Sequence, residues 1–227
     1  HLVRVALPAL LLAAHFISWT VGARLTSAGN ASLIVNLIPV VTPFLMFFAA
    51  REVVNRGEIL GTVIAMAGLL VLAAGDVSLR RDHILGDVIC FVSMVFFAAY
   101  LTLARRNRDF PTIWTYVTPL YFMGGLMCFA AAAFVTPVAE VFAPEEYLWL
   151  VALAIVPTIF GHSILNYSMK HMRGQLVAVC NLGQFVFAAI LAFFTLSEIP
   201  TWTFYLASAL IVAGAVSTIL AHPEESV

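Results

Sequence analysis

Two histidines in the sequence each have a second polar-tipped side chain four residues further on: His15 with Trp19, and His162 with Asn166. Residues four apart share one face of an α-helix, so each pair would present both groups to the same neighbour. Both pairs lie inside long apolar runs, where a polar group without a partner is costly. The pattern therefore indicates either a binding cavity or hydrogen bonds between helices.

Further polar side chains lie near the middle of other apolar runs. Asn36 stands three residues before Pro39, Tyr100 adds an aromatic ring with a hydroxyl tip, and Asn181 and Gln184 are close together near the C-terminus. Each of them could serve only to bond a neighbouring helix, a packing device worth about 0.6 to 2 kcal/mol. As a set with the two histidine pairs, however, they predict a cavity that orients a small polar or zwitterionic solute.

The same residues do not form a recognisable catalytic group. The His-x-x-x-Trp and His-x-x-x-Asn spacings provide neither a nucleophile with its base nor a metal cluster. We therefore predict that the protein is not an enzyme and needs no metal or cofactor. A membrane-embedded enzyme using His15 or His162 stays open as an alternative, as does a structural or channel-like membrane subunit. Either histidine could also carry a coupling proton, since histidine titrates near neutral pH.

The composition shows where these residues must lie. Of the 227 residues, 63% are hydrophobic and 10% are charged, a balance typical of polytopic membrane proteins, and a net charge of −1 gives no reason to expect nucleic acid as a partner. Eight apolar runs are long enough to cross a bilayer as helices. They fall at residues 5–23, 30–49, 58–75, 87–105, 112–135, 147–168, 175–196 and 201–220. We predict an all-α membrane domain over residues 1–227, with lipid and a small-molecule substrate as its partners.

The basic residues indicate the orientation. Eight of them fall at the N-terminus and on every second connection, and three fall on the other connections. The first group is Arg4, Arg51, Arg56, Arg105, Arg106, Arg108, Lys170 and Arg173, and the second is Arg24, Arg80 and Arg81. Because basic loops stay in the cytoplasm, the sequence predicts a cytoplasmic (inner) membrane protein whose C-terminus faces the cytoplasm.

An internal repeat organises the chain. Residues 7–72 align without a gap on residues 153–218, an offset of 146, and the scarce acid Glu52 falls on Glu198. Five spans separate equivalent helices, and because five is odd the second copy must run through the membrane in the opposite direction. We predict that residues 1–76 are the last three helices of a first repeat and residues 86–222 a complete second repeat of five helices. The counterpart of position 86 would lie about 60 residues before residue 1, so we expect two further helices there and ten in all.

Small residues recur within the repeat. Gly68 aligns on Gly214, and each stands in a stripe of glycines and alanines at helical spacing. Such stripes let two helices approach closely, so we expect them to pack spans of this chain against each other, with a homodimer face as the other option. We also expect Glu52 and Glu198 to close the ends of the two halves, and Pro39, Pro43, Pro119 and Pro157 to interrupt their helices.

The segment 23–28, followed by Pro39, Glu52 and Gly68, resembles the EamA family of the drug/metabolite transporter superfamily. In that family's pattern a helix with a mid-membrane proline ends in an acid thirteen residues later, and Ala-Gly follows sixteen residues further on. The resemblance extends over almost the whole chain. It implies an inverted-repeat secondary transporter, often an exporter, of amino acids or other small metabolites, with a central cavity between the two halves.

The chain departs from the pattern at two kinds of position. Phe185 stands where the proline is expected, although Glu198 and Gly214 keep their spacing. The residues before the two acids are Arg51 and Ser197, where the family usually has glycine. These departures do not change the fold that the resemblance implies, and the motifs do not select a substrate.

Overall fold

The computed structural model describes residues 2–74, 80–135, 143–197 and 199–221, and all regular secondary structure within these residues is helical. Eight helical spans are long and apolar enough to cross a membrane, which confirms the predicted number. The α-helices are α1 (Leu2–Arg24), α2 (Ala28–Val35), α3 (Ile38–Ala50), α4 (Arg56–Ala73), α5 (Ile84–Arg106), α6 (Ile113–Val135), α7 (Pro144–Leu153), α8 (Ser163–His171), α9 (Gly174–Asn181), α10 (Gln184–Leu196) and α11 (Trp202–Leu220).

Two of the eight spans are broken near their middle, and the breaks are related by the repeat. The first lies between α2 and α3 at residues 36–37, and the second between α9 and α10 at residues 182–183, again an offset of 146. At the first break, the side-chain amide of Asn36 donates to the carbonyl of Ser32 at 2.8 Å, and Pro39 has no N–H to continue the helix. At the second, without a proline, the amide of Gly183 donates to the carbonyl of Cys180 at 2.9 Å in a tight turn.

Not every proline interrupts its helix. The expectation of a break is wrong for Pro43 and Pro119, which lie inside continuous helices. A proline removes one N–H, so the carbonyl four residues earlier needs another donor. For Pro43 this is the carbonyl of Pro39, which accepts a hydrogen bond of 2.9 Å from the side chain of Gln175 on α9. The partner from another span keeps α3 continuous.

Pro157 has a different effect. It lies in a π-helical stretch, Ala154–His162, that joins α7 to α8 without a break. The carbonyl of Leu153, four residues before the proline, accepts a hydrogen bond of 3.2 Å from the hydroxyl of Thr158. The wider π-helical turn places His162 at its last position, immediately before α8.

The most extensive helix pair joins the two halves of the chain. Helices α4 and α11 are repeat-equivalent and antiparallel, as an inverted repeat requires, since Gly61 lies beside Gly214 while Gly68 lies beside Ala207. A Cβ atom added to Gly68 would lie 2.8 Å from the carbonyl oxygen of Ala207, and one added to Gly214 would lie 2.5 Å from that of Gly61. The small residues therefore set the distance between the two backbones.

Helix α5 lies at the centre of a second group of helices, where it packs against α1, α2, α3 and α8. Its side chains Met94, Tyr100 and Leu101 are fully buried in the main hydrophobic core. Helix α1 is covered by α5 and α6, whereas its repeat counterpart, the span Pro144–His171, has no buried residue in its most apolar stretch. As a result His15 on α1 is buried, while His162 is only half-buried.

Helix α3 ends with a residue in the left-handed conformation. Arg51 has φ 56°, and the backbone amide of Glu52 reaches back to the carbonyl of Met46 at 3.2 Å. Ser197, the repeat counterpart of Arg51, has φ 57°. This conformation favours glycine at a helix C-terminus, which explains in physical terms why the family pattern has glycine there. Glu198, the predicted counterpart of Glu52, lies outside the described residues.

We expect Arg51→Gly to stabilise the fold by about 1 kcal/mol, because glycine adopts a positive φ without the steric cost that a side chain brings. The apparent melting temperature of the purified protein in detergent should rise by roughly 2 to 4 °C. Arg51→Ala is the matched control, since it removes the same charge and keeps the Cβ atom. An equal rise in both variants would show that the charge, not the backbone conformation, is responsible.

We expect Gly214→Ala to destabilise the α4–α11 pair by about 1 to 3 kcal/mol, because the new methyl group would meet backbone atoms that cannot move aside. Gly125→Ala is the control: it lies in the middle of α6 with nothing within 4 Å of an added Cβ atom. The apparent melting temperature should fall for the first variant and stay level or rise for the second. Equal values for both would contradict a close α4–α11 contact.

Candidate substrate site

His15 is held between α1 and α5. Its Nδ1 atom lies 3.1 Å from the carbonyl oxygen of Ser93 and 2.8 Å from the hydroxyl of the same residue. The Ser93 hydroxyl in turn donates to the carbonyl of His15 at 2.9 Å. All three contacts are satisfied when Nδ1 carries the proton, a tautomer inferred from this network that leaves Nε2 as an acceptor. Phe97, one turn along α5, stacks on the imidazole with ring centroids 4.6 Å apart.

His162 also contacts Phe97, together with two further aromatic rings. Its imidazole makes edge contacts with Phe16 and Phe97, at centroid distances of 5.3 and 5.5 Å, and lies 5.9 Å from the ring of Tyr100. One turn further along α8, the side-chain amide of Asn166 donates to the hydroxyl of Tyr100 and to the carbonyl of His162. We call His15, Phe97, Tyr100, His162 and Asn166 the histidine cluster. It joins α1, α5 and α8.

Two buried acceptor or donor atoms of this cluster have no partner within the described residues: Nδ1 of His162 and Oδ1 of Asn166. Asn166 is 1% exposed, so water does not readily replace a missing partner. A buried polar atom left unsatisfied costs about 1 to 3 kcal/mol. A ligand that reached these atoms and supplied a hydrogen-bond donor would therefore recover that free energy, and the rings around them would contact its apolar parts.

The histidine cluster contains no Asp, Glu, Lys or Arg side chain. Every Asp, Glu, Lys and Arg that the structure describes lies between helices or in the first or last turn of one. Among the described residues there is also no group of three or more His, Cys, Asp and Glu side chains able to hold a metal ion. The cluster thus offers hydrogen-bonding groups and aromatic surface, not charged partners.

A second polar contact lies at the helix breaks. The side-chain amide of Gln184, the first residue of α10, donates to the side-chain oxygen of Asn36 at 2.7 Å. This bond links the two broken spans beside their breaks. Trp19 and Asn181, also predicted to line the site, are half-buried and make no hydrogen bond to either group in the described part of the chain.

Sequence reasoning missed three side chains in or near the cluster: Ser93, Phe97 and Tyr121. Ser93 and Phe97 lie on the same face of α5 as Tyr100, at the spacing of successive helical turns. Tyr121 on α6 approaches the hydroxyl of Ser163 at 3.1 Å. The spacing of Ser93, Phe97 and Tyr100 was a usable signal, but serine and phenylalanine are common in membrane helices and do not mark a site by themselves.

Comparison with known proteins assigns the family. The model of the EamA-like transporter family matches residues 2–74 and 84–220. The chain belongs to the EamA-like transporter family. This confirms the resemblance found in the sequence, and the members of this family are membrane transporters. None of the curated proteins compared with the chain matches it.

A solved crystal structure supports the fold of this EamA-like protein. It is similar to the chain with a TM-score of 0.81 and 20% sequence identity, over 96% of this chain and 77% of its own. At this identity the likeness shows that the helices have the same arrangement.

We expect Tyr100 and Asn166 to be energetically coupled, because the hydroxyl of Tyr100 accepts a buried hydrogen bond from Asn166. A double-mutant cycle of Tyr100→Phe and Asn166→Leu should give a coupling of about 0.5 to 1.7 kcal/mol, measured by unfolding in mixed micelles. The control cycle combines Asn166→Leu with Tyr205→Phe, at an exposed position of α11, and should give no coupling energy. Equal coupling in the two cycles would contradict this bond.

Proposed function

We propose that this chain is part of a secondary transporter that exports small polar metabolites such as amino acids by alternating access. The observation that carries the proposal is the histidine cluster with its two unpartnered atoms. In a chain whose family moves solutes across membranes, buried hydrogen-bonding groups left without a partner are the groups that a solute would satisfy. The proposed substrate-binding residues are His15, Trp19, Asn36, Tyr100, His162, Asn166, Asn181 and Gln184.

The neutral character of the cluster supports a substrate without net charge. A charged solute near the middle of the membrane needs an opposite charge or many hydrogen bonds, and the described acids and bases lie at the helix ends. A zwitterion has a second source of stabilisation at the breaks, where α2 and α9 end and α3 and α10 begin. Half-helix N-termini favour a carboxylate, and half-helix C-termini favour an ammonium group.

The proposed orientation follows from the basic residues. One end of the bundle, which we call the Arg105 end, carries Arg4, Arg105, Lys170 and Arg173. We propose that this end lies on the cytoplasmic side of the plasma membrane. The opposite end, which we call the Asp87 end, carries Asp87 bonded to Thr26 and Asn30. Export would then load the site from the Arg105 end and release the solute at the Asp87 end.

Transport can be tested by comparing metabolites inside and outside cells that produce the full-length protein, the double variant His162→Ala with Asn166→Ala, or Tyr205→Phe as a control. We expect one solute class to be depleted inside and enriched outside for the unmodified chain and the control, and at least a tenfold slower flux for the double variant, since a loss of two hydrogen bonds is worth about 1.4 kcal/mol or more.

Reconstitution in liposomes distinguishes the remaining functions. Saturable flux with counterflow supports a carrier, whereas flux that rises in proportion to concentration, without counterflow, would indicate a channel. If the protein reaches the membrane and no solute moves in either direction, the proposed function is wrong.

A further inference from the structure

Two acids at the Arg105 end each pair with an arginine from the other half of the chain. Glu52, at the end of α3, binds Arg105, and the two side chains are only 16% and 9% exposed. Glu58, in the first turn of α4, is 0% exposed and binds Arg173 at 3.0 Å from both Nε and Nη2. Both pairs therefore connect residues of the first half, 2–74, with residues of the second half, 84–220.

Backbone groups complete the network. The second oxygen of Glu52 accepts a hydrogen bond of 3.0 Å from the amide of Gly174, the first residue of α9. Arg105 donates to the carbonyls of Met169 and Lys170, at 3.1 and 3.3 Å, near the end of α8. A carboxylate at a helix start and a guanidinium at a helix end both complement the helix dipole. We call Glu52, Glu58, Arg105 and Arg173 the ion-pair network.

The network closes a contact whose repeat counterpart is not closely packed in the described part of the chain. At the Arg105 end, α3 packs against α9, and a Cβ atom added to Gly174 would lie 2.6 Å from the sulfur of Met46. The repeat counterparts of α3 and α9 are α10 and α2. Those two helices are not among the pairs that pack extensively in the described part of the chain, and no described side chain of α10 is buried.

Beside α10 lies an apolar surface groove. It has a volume of about 310 Å³ between α10 and α11 and is lined by Phe193, Phe194, Phe204 and Tyr205 among others. Ala28, the repeat counterpart of Gly174, is exposed at the start of α2, whereas Met46 is 1% exposed. The two broken spans thus touch at the Arg105 end and separate at the Asp87 end.

We propose that the ion-pair network is the gate of the Arg105 end: it holds α3 and α5 against α8 and α9 in this conformation, and it must separate before the site opens to that side. This inference rests on the proposed transport function. Glu52, Glu58 and Arg105 are largely removed from water, whereas Arg173 is 35% exposed. Loss of Glu52 or Arg105 therefore leaves the other one buried without its counter-charge, which strongly disfavours the closed arrangement. Separation exposes both groups to water and removes that penalty.

The gate can be tested by cysteine labelling, which requires no substrate. In a chain with Cys90, Cys128 and Cys180 replaced by alanine, Met46→Cys reports on the Arg105 end and Ala28→Cys reports on the Asp87 end. A membrane-impermeant maleimide is applied to inside-out and right-side-out vesicles. In this background Met46→Cys should label slowly and Ala28→Cys quickly.

Adding Glu52→Gln or Arg105→Gln should speed the labelling of Met46→Cys by about tenfold and slow that of Ala28→Cys, because the population shifts toward the conformation open at the Arg105 end. Asp109→Asn is the matched control. It breaks the exposed pair with Arg4 at the same end, between α1 and the α5–α6 connection, and should change neither rate. The Arg4 guanidinium holds the pKa of Asp109 below its usual range, so this control pair is charged at neutral pH.

Opposite changes at the two reporters support the gate. Unchanged labelling of Met46→Cys would overturn it, and faster labelling of both reporters would show that the network only stabilises the fold. These outcomes are independent of the flux assay. A protein that moves a solute but shows no reciprocal labelling retains the proposed function and loses the gate, whereas reciprocal labelling without flux retains the gate and removes the proposed function.

Discussion

The structure depends on one constraint: inside the hydrocarbon layer, every backbone carbonyl and amide must find its partner within the protein. The prolines illustrate this constraint, because each of them lacks the backbone N–H that would otherwise donate a hydrogen bond. The carbonyl freed by Pro43 is bonded by Gln175 from α9, and the carbonyl freed by Pro157 is bonded by Thr158. Satisfying these carbonyls keeps the helices continuous. It also ties α3 to α9, which belongs to the other half of the chain, through a bond that a regular helix would not need.

Against this background, the polar atoms that remain unpaired are informative. Two of the buried side-chain atoms without a partner in the described residues belong to His162 and Asn166, one turn apart on the span that includes the π-helical stretch. π-Helical turns are uncommon and are often found at functional sites. The widened turn and the unpaired atoms thus coincide with the half-buried side of the histidine cluster, where a solute could approach.

The inverted repeat accounts for both the symmetry and the asymmetry of the molecule. Its equivalent parts are the two broken spans, the left-handed residues Arg51 and Ser197, and the antiparallel contact of α4 with α11. Within the described residues the equivalent ends differ, since α3 packs against α9 beside two ion pairs, whereas α2 and α10 do not pack closely. In the gate that we propose, the buried charges at the Arg105 end favour one of two conformations of the repeat.

The sequence by itself determined the membrane class, the eight spans, the repeat with its inversion, and the family, because long apolar runs, charge placement and a fixed offset are local or additive properties. It also indicated His15, Tyr100, His162 and Asn166, since polar groups in apolar runs are rare. Only the tertiary structure decided which of them meet. It joined these four with Phe97, placed Asn36 with Gln184 elsewhere, and left Trp19 and Asn181 outside both groups. It also paired Glu52 with Arg105 and Glu58 with Arg173, because the crossing of distant helices, which no local pattern encodes, sets those distances.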